Sequence, residues 1–196
     1  MGTANWLLLA YKMPPEPART RIAIWRKLKG MGAVYLQNGV CVLPRSDDHL
    51  RRLKVVENEI EQAGGEAILL SADGLDQRQA EKVVRRFNAD RDEEYRELIS
   101  KCEAYQAEIA EETRMRHFTY AELGENEQEF AKLKTWYAKI AQNDFHKAPL
   151  AGSAREWLKR CEGILDAYAQ SVFSAHEENA ATPIPPDVTK SGDPME

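Results

Sequence analysis

What this 196-residue chain lacks narrows it first. Its longest apolar run, residues 6–10, falls far short of the roughly 20 residues that a membrane-spanning helix needs. That run also lacks the basic flank and small-residue cleavage site of a secretory signal, so the chain is expected to stay in the cytoplasm and away from membranes. Cysteine is scarce: Cys41, Cys102 and Cys161 are odd in number and far apart, which fits a reducing compartment and offers neither a disulfide framework nor a CxxC metal pair. His49, His117, His146 and His176 are separated by long stretches, with no HExxH, no paired Cys/His spacing and no Ser-His-Asp signature around them. No catalytic residue, resident metal or cofactor is therefore expected, although a site assembled in three dimensions from Cys102, His117, His146 or Cys161 stays open. The thiols carry no mark of activation that would favour a reductase.

What is present is charge, unevenly placed. The net charge is -5, yet the first 54 residues hold ten Lys and Arg against Glu16, Asp47 and Asp48, a net of +7 that leaves -12 for the rest. Partners meet local fields and not totals, so the basic front end is the feature to explain.

Hydrophobic spacing gives the elements. Residues 5–13 read as a strand buried on both faces, stopped by Pro14, Pro15 and Pro17. A helix follows, with Ile22, Trp25 and Leu28 as its apolar stripe, Ile24 beside them, and Gly30 and Gly32 at its end. Two apolar segments around Asn38-Gly39 form a hairpin, because both residues accept the positive φ of a tight primed turn. Ser46 or Asp47 caps a second helix carrying Leu50, Leu53, Val56 and Ile60, which Gly64 and Gly65 terminate before a last strand over residues 66–71. The order predicts an α+β fold: a ferredoxin-like βαββαβ module over residues 1–75, its two helices on one face of an antiparallel sheet.

Long antiparallel α-helices are predicted to follow over residues 76–176. Tyr95, Leu98, Cys102, Tyr105 and Ile109 recur at steps of three and four, as a coiled-coil-like seam does. Further helices carry Phe130, Leu133, Trp136 or Tyr137, and Ile140, and then Trp157, Cys161, Ile164, Leu165, Tyr168 and Val172. Loss of periodicity and Pro183, Pro185, Pro186 and Pro194 predict a disordered Pro-rich tail over residues 177–196.

Several segments together resemble one known family. WLLLAYKMPPEPAR over residues 6–19, IWRKL over 24–28 and GAVYLQNGVCVLP over 32–44 are similar to the N-terminal domain of the chromate-resistance regulator family ChrB. GGEA over 64–67, RDEEY over 91–95, and Asp144-Phe145 followed by Ala148-Pro149 agree with it. The resemblance implies a regulator of chromate-efflux genes, related in fold to the middle domain of PaaX-type repressors and to small CRISPR-associated nucleases. Members usually continue into a second domain linked with chromate resistance. DNA at the protein's own operon promoter is the implied partner, and chromate or another oxyanion the implied effector, contacted by Arg and Lys rather than by Cys or His.

The residues expected to contact DNA are Arg19, Arg21, Arg26, Lys27 and Lys29 on the first helix, Arg45 beyond the hairpin, and Arg51 and Arg52 opening the second helix. The alternative is an ordinary solvated face. Trp25 is assigned to the core by its place in the apolar stripe, rather than to base stacking. Nuclease chemistry is not expected, because the first strand ends in Tyr11, Lys12 and Met13, with no carboxylate to hold magnesium. The helical seam and the flat sheet both favour a homodimer; a protein-binding adaptor using the helical region is the rival reading.

Overall fold

The computed structural model describes residues 5–181, with side chains over residues 6–177. Its elements are β1 (Asn5–Lys12), α1 (Ala18–Gly30), β2 (Val34–Gln37), β3 (Val40–Pro44), α2 (Asp47–Gln62), β4 (Glu66–Asp73), α3 (Gln77–Arg114), α4 (Tyr120–Gln142) and α5 (Ala151–Ala181). The sheet order is β2-β3-β1-β4 with every neighbouring pair antiparallel, the ferredoxin-like arrangement of an α+β fold.

Successive residues of a strand point to opposite faces, and β1 uses both. Leu7 and Leu9 pack beneath α1 and α2 with Ile24, Leu28, Leu53, Val56 and Ile60, and Trp6 packs on the other face with Val34, Val42 and Phe87. The hairpin turn requires its glycine twice over. Gly39 has φ +74°, and a Cβ there would sit 2.4 Å from the Tyr11 carbonyl oxygen. The Tyr11 N–H donates to the Gly39 carbonyl at 2.7 Å, tying the turn to the end of β1. Ser46 is the cap of α2, its hydroxyl accepting from the His49 N–H at 3.0 Å, with Asp47 and Asp48 in the positive first turn.

The stripe expected on α1 is corrected by one residue of phase. Ile24 and Leu28 are the buried positions of the helix and Met31 extends them beyond its end, at steps of four and three. Ile22 and Trp25 face outward instead, with Trp25 49% exposed.

At 38 residues, α3 is about 57 Å long and belongs to two bodies at once. Its first turns lay Ala80, Val83, Val84 and Phe87 on the outer face of the sheet. Farther along, Tyr95, Leu98, Cys102, Tyr105 and Ile109 form the seam against α4 and α5. The expected division after residue 75 therefore coincides with a change of element, while the packing runs across it.

A loop completes the joint. Phe145, between α4 and α5, meets His49 edge to face at 5.2 Å and Phe87 at 6.0 Å, and it packs on both hydrophobic clusters of the sheet. Along β4 the outer face stays open, with Ile68 and Leu70 exposed. Helix α5 continues past residue 177, where the tail was expected to begin, to Ala181; the rest of that expected tail lies outside the described residues.

Candidate nucleic-acid interface

The residues that the sequence singles out for anion contact fall into three groups. Arg19, Arg21 and Arg26 on α1 are exposed and make no ion pair among the described residues. Their guanidinium groups are fully available to phosphate.

Lys27, Lys29, Arg51 and Arg52 all have carboxylate partners. Lys27 reaches Glu59 on α2 at 2.6 Å, and Lys29 reaches Asp90 on α3 at 2.7 Å. Asp48 lies 3.2 Å from Arg51 and 3.7 Å from Arg52. Pairing of this kind lowers the field a polyanion would meet, although exposed pairs exchange partners at little cost. Arg45 forms the third group alone, donating from Nη1 to the Ser71 hydroxyl at 2.9 Å.

These groups do not form one patch. Lys27 meets Glu59, and Lys27, Gly30 and Met31 share a shallow pocket with Arg52 and Val55, so rising numbers on α1 face falling numbers on α2. The helices are antiparallel, which sets Arg19 and Arg21 at the opposite end of the pair from Arg45 and Arg51. A 13-residue helix of about 20 Å separates them. Lys27 and Arg52 are brought together; Arg45 is not brought to Arg19 and Arg21.

A second basic row lies where the sequence-wide charge balance hid it. Arg78, Lys82, Arg85 and Arg86 are exposed at helical spacing on the first turns of α3, the part that packs on the sheet. Arg85 pairs with Glu81 at 3.6 Å, while Lys82 and Arg86 make no ion pair among the described residues. Spacing of four and seven from Arg78 is the signal that would have found them.

Where β1 ends, Tyr11 and Tyr35 share a hydroxyl-to-hydroxyl hydrogen bond of 2.8 Å, and burial pushes both phenols above their ordinary pKa. They are neutral hydrogen-bonding groups at the strand end where a ferredoxin-like nuclease would place a carboxylate.

Of the four residues left open for a three-dimensional site, only the cysteines meet. The Cys161 thiol lies 3.7 Å from the Cys102 carbonyl oxygen, inside the α3–α5 seam, and both residues are fully buried. A side-chain contact between the two thiols, separate from that bond to the carbonyl, raises the Cys102 thiol and lowers that of Cys161. Neither His117 nor His146 completes a set, and no group of three or more metal-ligating side chains comes together among the described residues. No described helix is long and apolar enough to cross a membrane.

Comparison with known proteins adds a family to this geometry. No solved structure matches. A curated relative from Cupriavidus metallidurans, Protein ChrB, is 29% identical over 94 residues, which cover 48% of this chain and 28% of the relative. The chain thus matches little more than a quarter of that relative's length. The family described as Protein ChrB, N-terminal, matches residues 21–179.

Proposed function

Because the chain belongs to the ChrB N-terminal family, we propose that it is a cytoplasmic transcriptional regulator of the chromate-resistance type that binds DNA. The observation that carries this reading is the pair of unpaired arginines Arg19 and Arg26, seven residues apart on one face of α1, with the equally unpaired Arg21 on another side of a helix whose buried residues hold it to the sheet. Exposed guanidinium groups on a fixed helix bind phosphate without first losing an internal partner. The promoter of its own operon is the natural target, with chromate or another oxyanion as effector. In this reading two copies associate, and the helical section sets their spacing.

One observation favours the adaptor reading. Met115, Tyr120 and Phe173 are exposed at the end of the helical section where α3 passes into α4, and Tyr120 and Phe173 are in edge contact at 5.7 Å. That surface suits a protein partner or a second copy.

A gel shift at low salt, using DNA from upstream of the operon and unrelated DNA of equal length, separates the two. The regulator retards the upstream fragment more strongly than the control. An adaptor retards neither.

A further inference from the structure

Beside the end of β1 lies an open pocket of about 400 Å³, lined by Tyr11, Tyr35, Trp25, Lys29, Arg86 and Asp90 together with the hairpin turn. It draws on three consecutive elements, β1, α1 and β2, and on α3 from farther along the chain. Its polar groups are unequal in what they have left to offer.

The mutual hydrogen bond of Tyr11 and Tyr35 uses one of their two phenolic hydrogens, and the other finds no acceptor among the described residues. Lys29 spends one of its three ammonium hydrogens on Asp90 and lies 6.0 Å from the centre of the Tyr35 ring. Arg86 has no ion pair among the described residues. Two cations face one carboxylate, and apart from that carboxylate's remaining lone pairs the uncommitted capacity consists mainly of donors. Such a set calls for an anion rich in acceptors.

Size and shape restrict the anion further. The space is several times that of an inorganic phosphate or sulfate and falls in the range of roughly 300–1,000 Å³ typical of small-molecule sites. One wall is the indole of Trp25, which α1 turns outward although Ile24 and Leu28 beside it are buried. An exposed indole next to the unpaired Arg86 is a surface on which a planar ring stacks.

We propose that this pocket binds a nucleoside monophosphate unit, its phosphate held by Arg86, Lys29 and the free tyrosine hydroxyl and its base stacked on Trp25. Stacking there needs a base outside a duplex, so the inference goes beyond duplex binding by the α1 arginines. Two sources present this chemistry: a free nucleotide, or an unpaired nucleotide of a single strand.

The test is isothermal titration of the full chain with adenosine 5′-monophosphate, adenosine, inorganic phosphate and a short single-stranded oligonucleotide. The monophosphate or the oligonucleotide should bind at least tenfold more tightly than adenosine or phosphate. Whichever of the two competes for the pocket identifies the source. Arg86→Ala and Trp25→Leu, both at exposed positions, should each weaken that binding tenfold or more. Asp90→Asn should tighten it several-fold by releasing Lys29, a gain that misfolding does not produce. Phosphate binding as tightly as the nucleotide would overturn the proposal, as would nucleotide binding that all three substitutions leave unchanged. Replacing Arg19, Arg21 and Arg26, none of which lines the pocket, with Ala should not alter the titration with the monophosphate, so this inference and the duplex reading fail separately.

Discussion

His146 has its Nε2 buried without a hydrogen-bond partner, and its ring packs on Phe87 at 5.1 Å. Burial lowers its pKa below the ordinary histidine value, by more than nearby Asp144 raises it. The unfolded chain therefore takes up a proton as the pH falls below about 6.5, while the folded chain resists until a lower pH. Stability is lost as pH falls through that window. Comparing urea midpoints at pH 7.5 and 5.5 should show a smaller drop for His146→Phe, which keeps an aromatic ring against Phe87 and cannot titrate; an equal drop would remove His146 from the account. Gly32 is the other residue with a sharp expectation. Its φ is +80°, and a Cβ there would lie 2.9 Å from both the Asn143 Cβ and the Phe145 ring. Gly32→Ala combines backbone strain with a clash in the joint and should cost about 1–3 kcal/mol in denaturant titration.

Helix α3 is the element on which the two halves depend. Phe87 is 2% exposed beneath the outer face of the sheet, and Phe87→Ala should destabilise the protein by about 3–5 kcal/mol in chemical denaturation. A cost under about 1 kcal/mol would mean that α3 does not close that face. The seam from Tyr95 to Ile109 was legible because those residues repeat at helical spacing over many turns, and the hairpin because Asn38-Gly39 has few other uses. Ala80, Val83, Val84 and Phe87 were not, since a helix packed on a sheet needs only a short apolar stretch and this one is interleaved with Arg78, Lys82, Arg85 and Arg86. Setting the first 54 residues against the rest hid that basic row, because the acidic residues that follow outweigh it. Trp25 was misplaced because Ile22, Trp25, Leu28 and Ile24, Leu28, Met31 both satisfy a helical period. Only the sheet beneath decides which stripe is inside.

For the whole molecule, the packing argues against independent parts. A fragment of residues 1–75 would leave Trp6, Val34 and Val42 without Phe87 and its neighbours, exposing apolar surface that the full chain buries. Such a fragment should bind a hydrophobic dye strongly and lack a cooperative unfolding transition, whereas a sharp transition with little dye binding would show that the sheet and its two helices stand alone. The charge of the assembled molecule is also less simple than its sequence. Lys27, Lys29, Arg51 and Arg52 are partly neutralised by Glu59, Asp90 and Asp48, so the candidate contact cations left without a carboxylate partner among the described residues are Arg19, Arg21 and Arg26 on α1, Arg45, and Arg78, Lys82 and Arg86 on α3.

That residual field is what DNA would meet, and its salt dependence measures it most directly. Binding of the operon's upstream DNA should be followed by fluorescence anisotropy across a range of salt concentrations, for the parent chain and for the variant carrying Arg19→Ala, Arg21→Ala and Arg26→Ala. Each phosphate contact contributes about 0.9 to the slope of log affinity against log salt, so the variant should bind more weakly with a slope shallower by about 2 to 3. An unchanged slope and affinity would contradict a DNA interface on this helix.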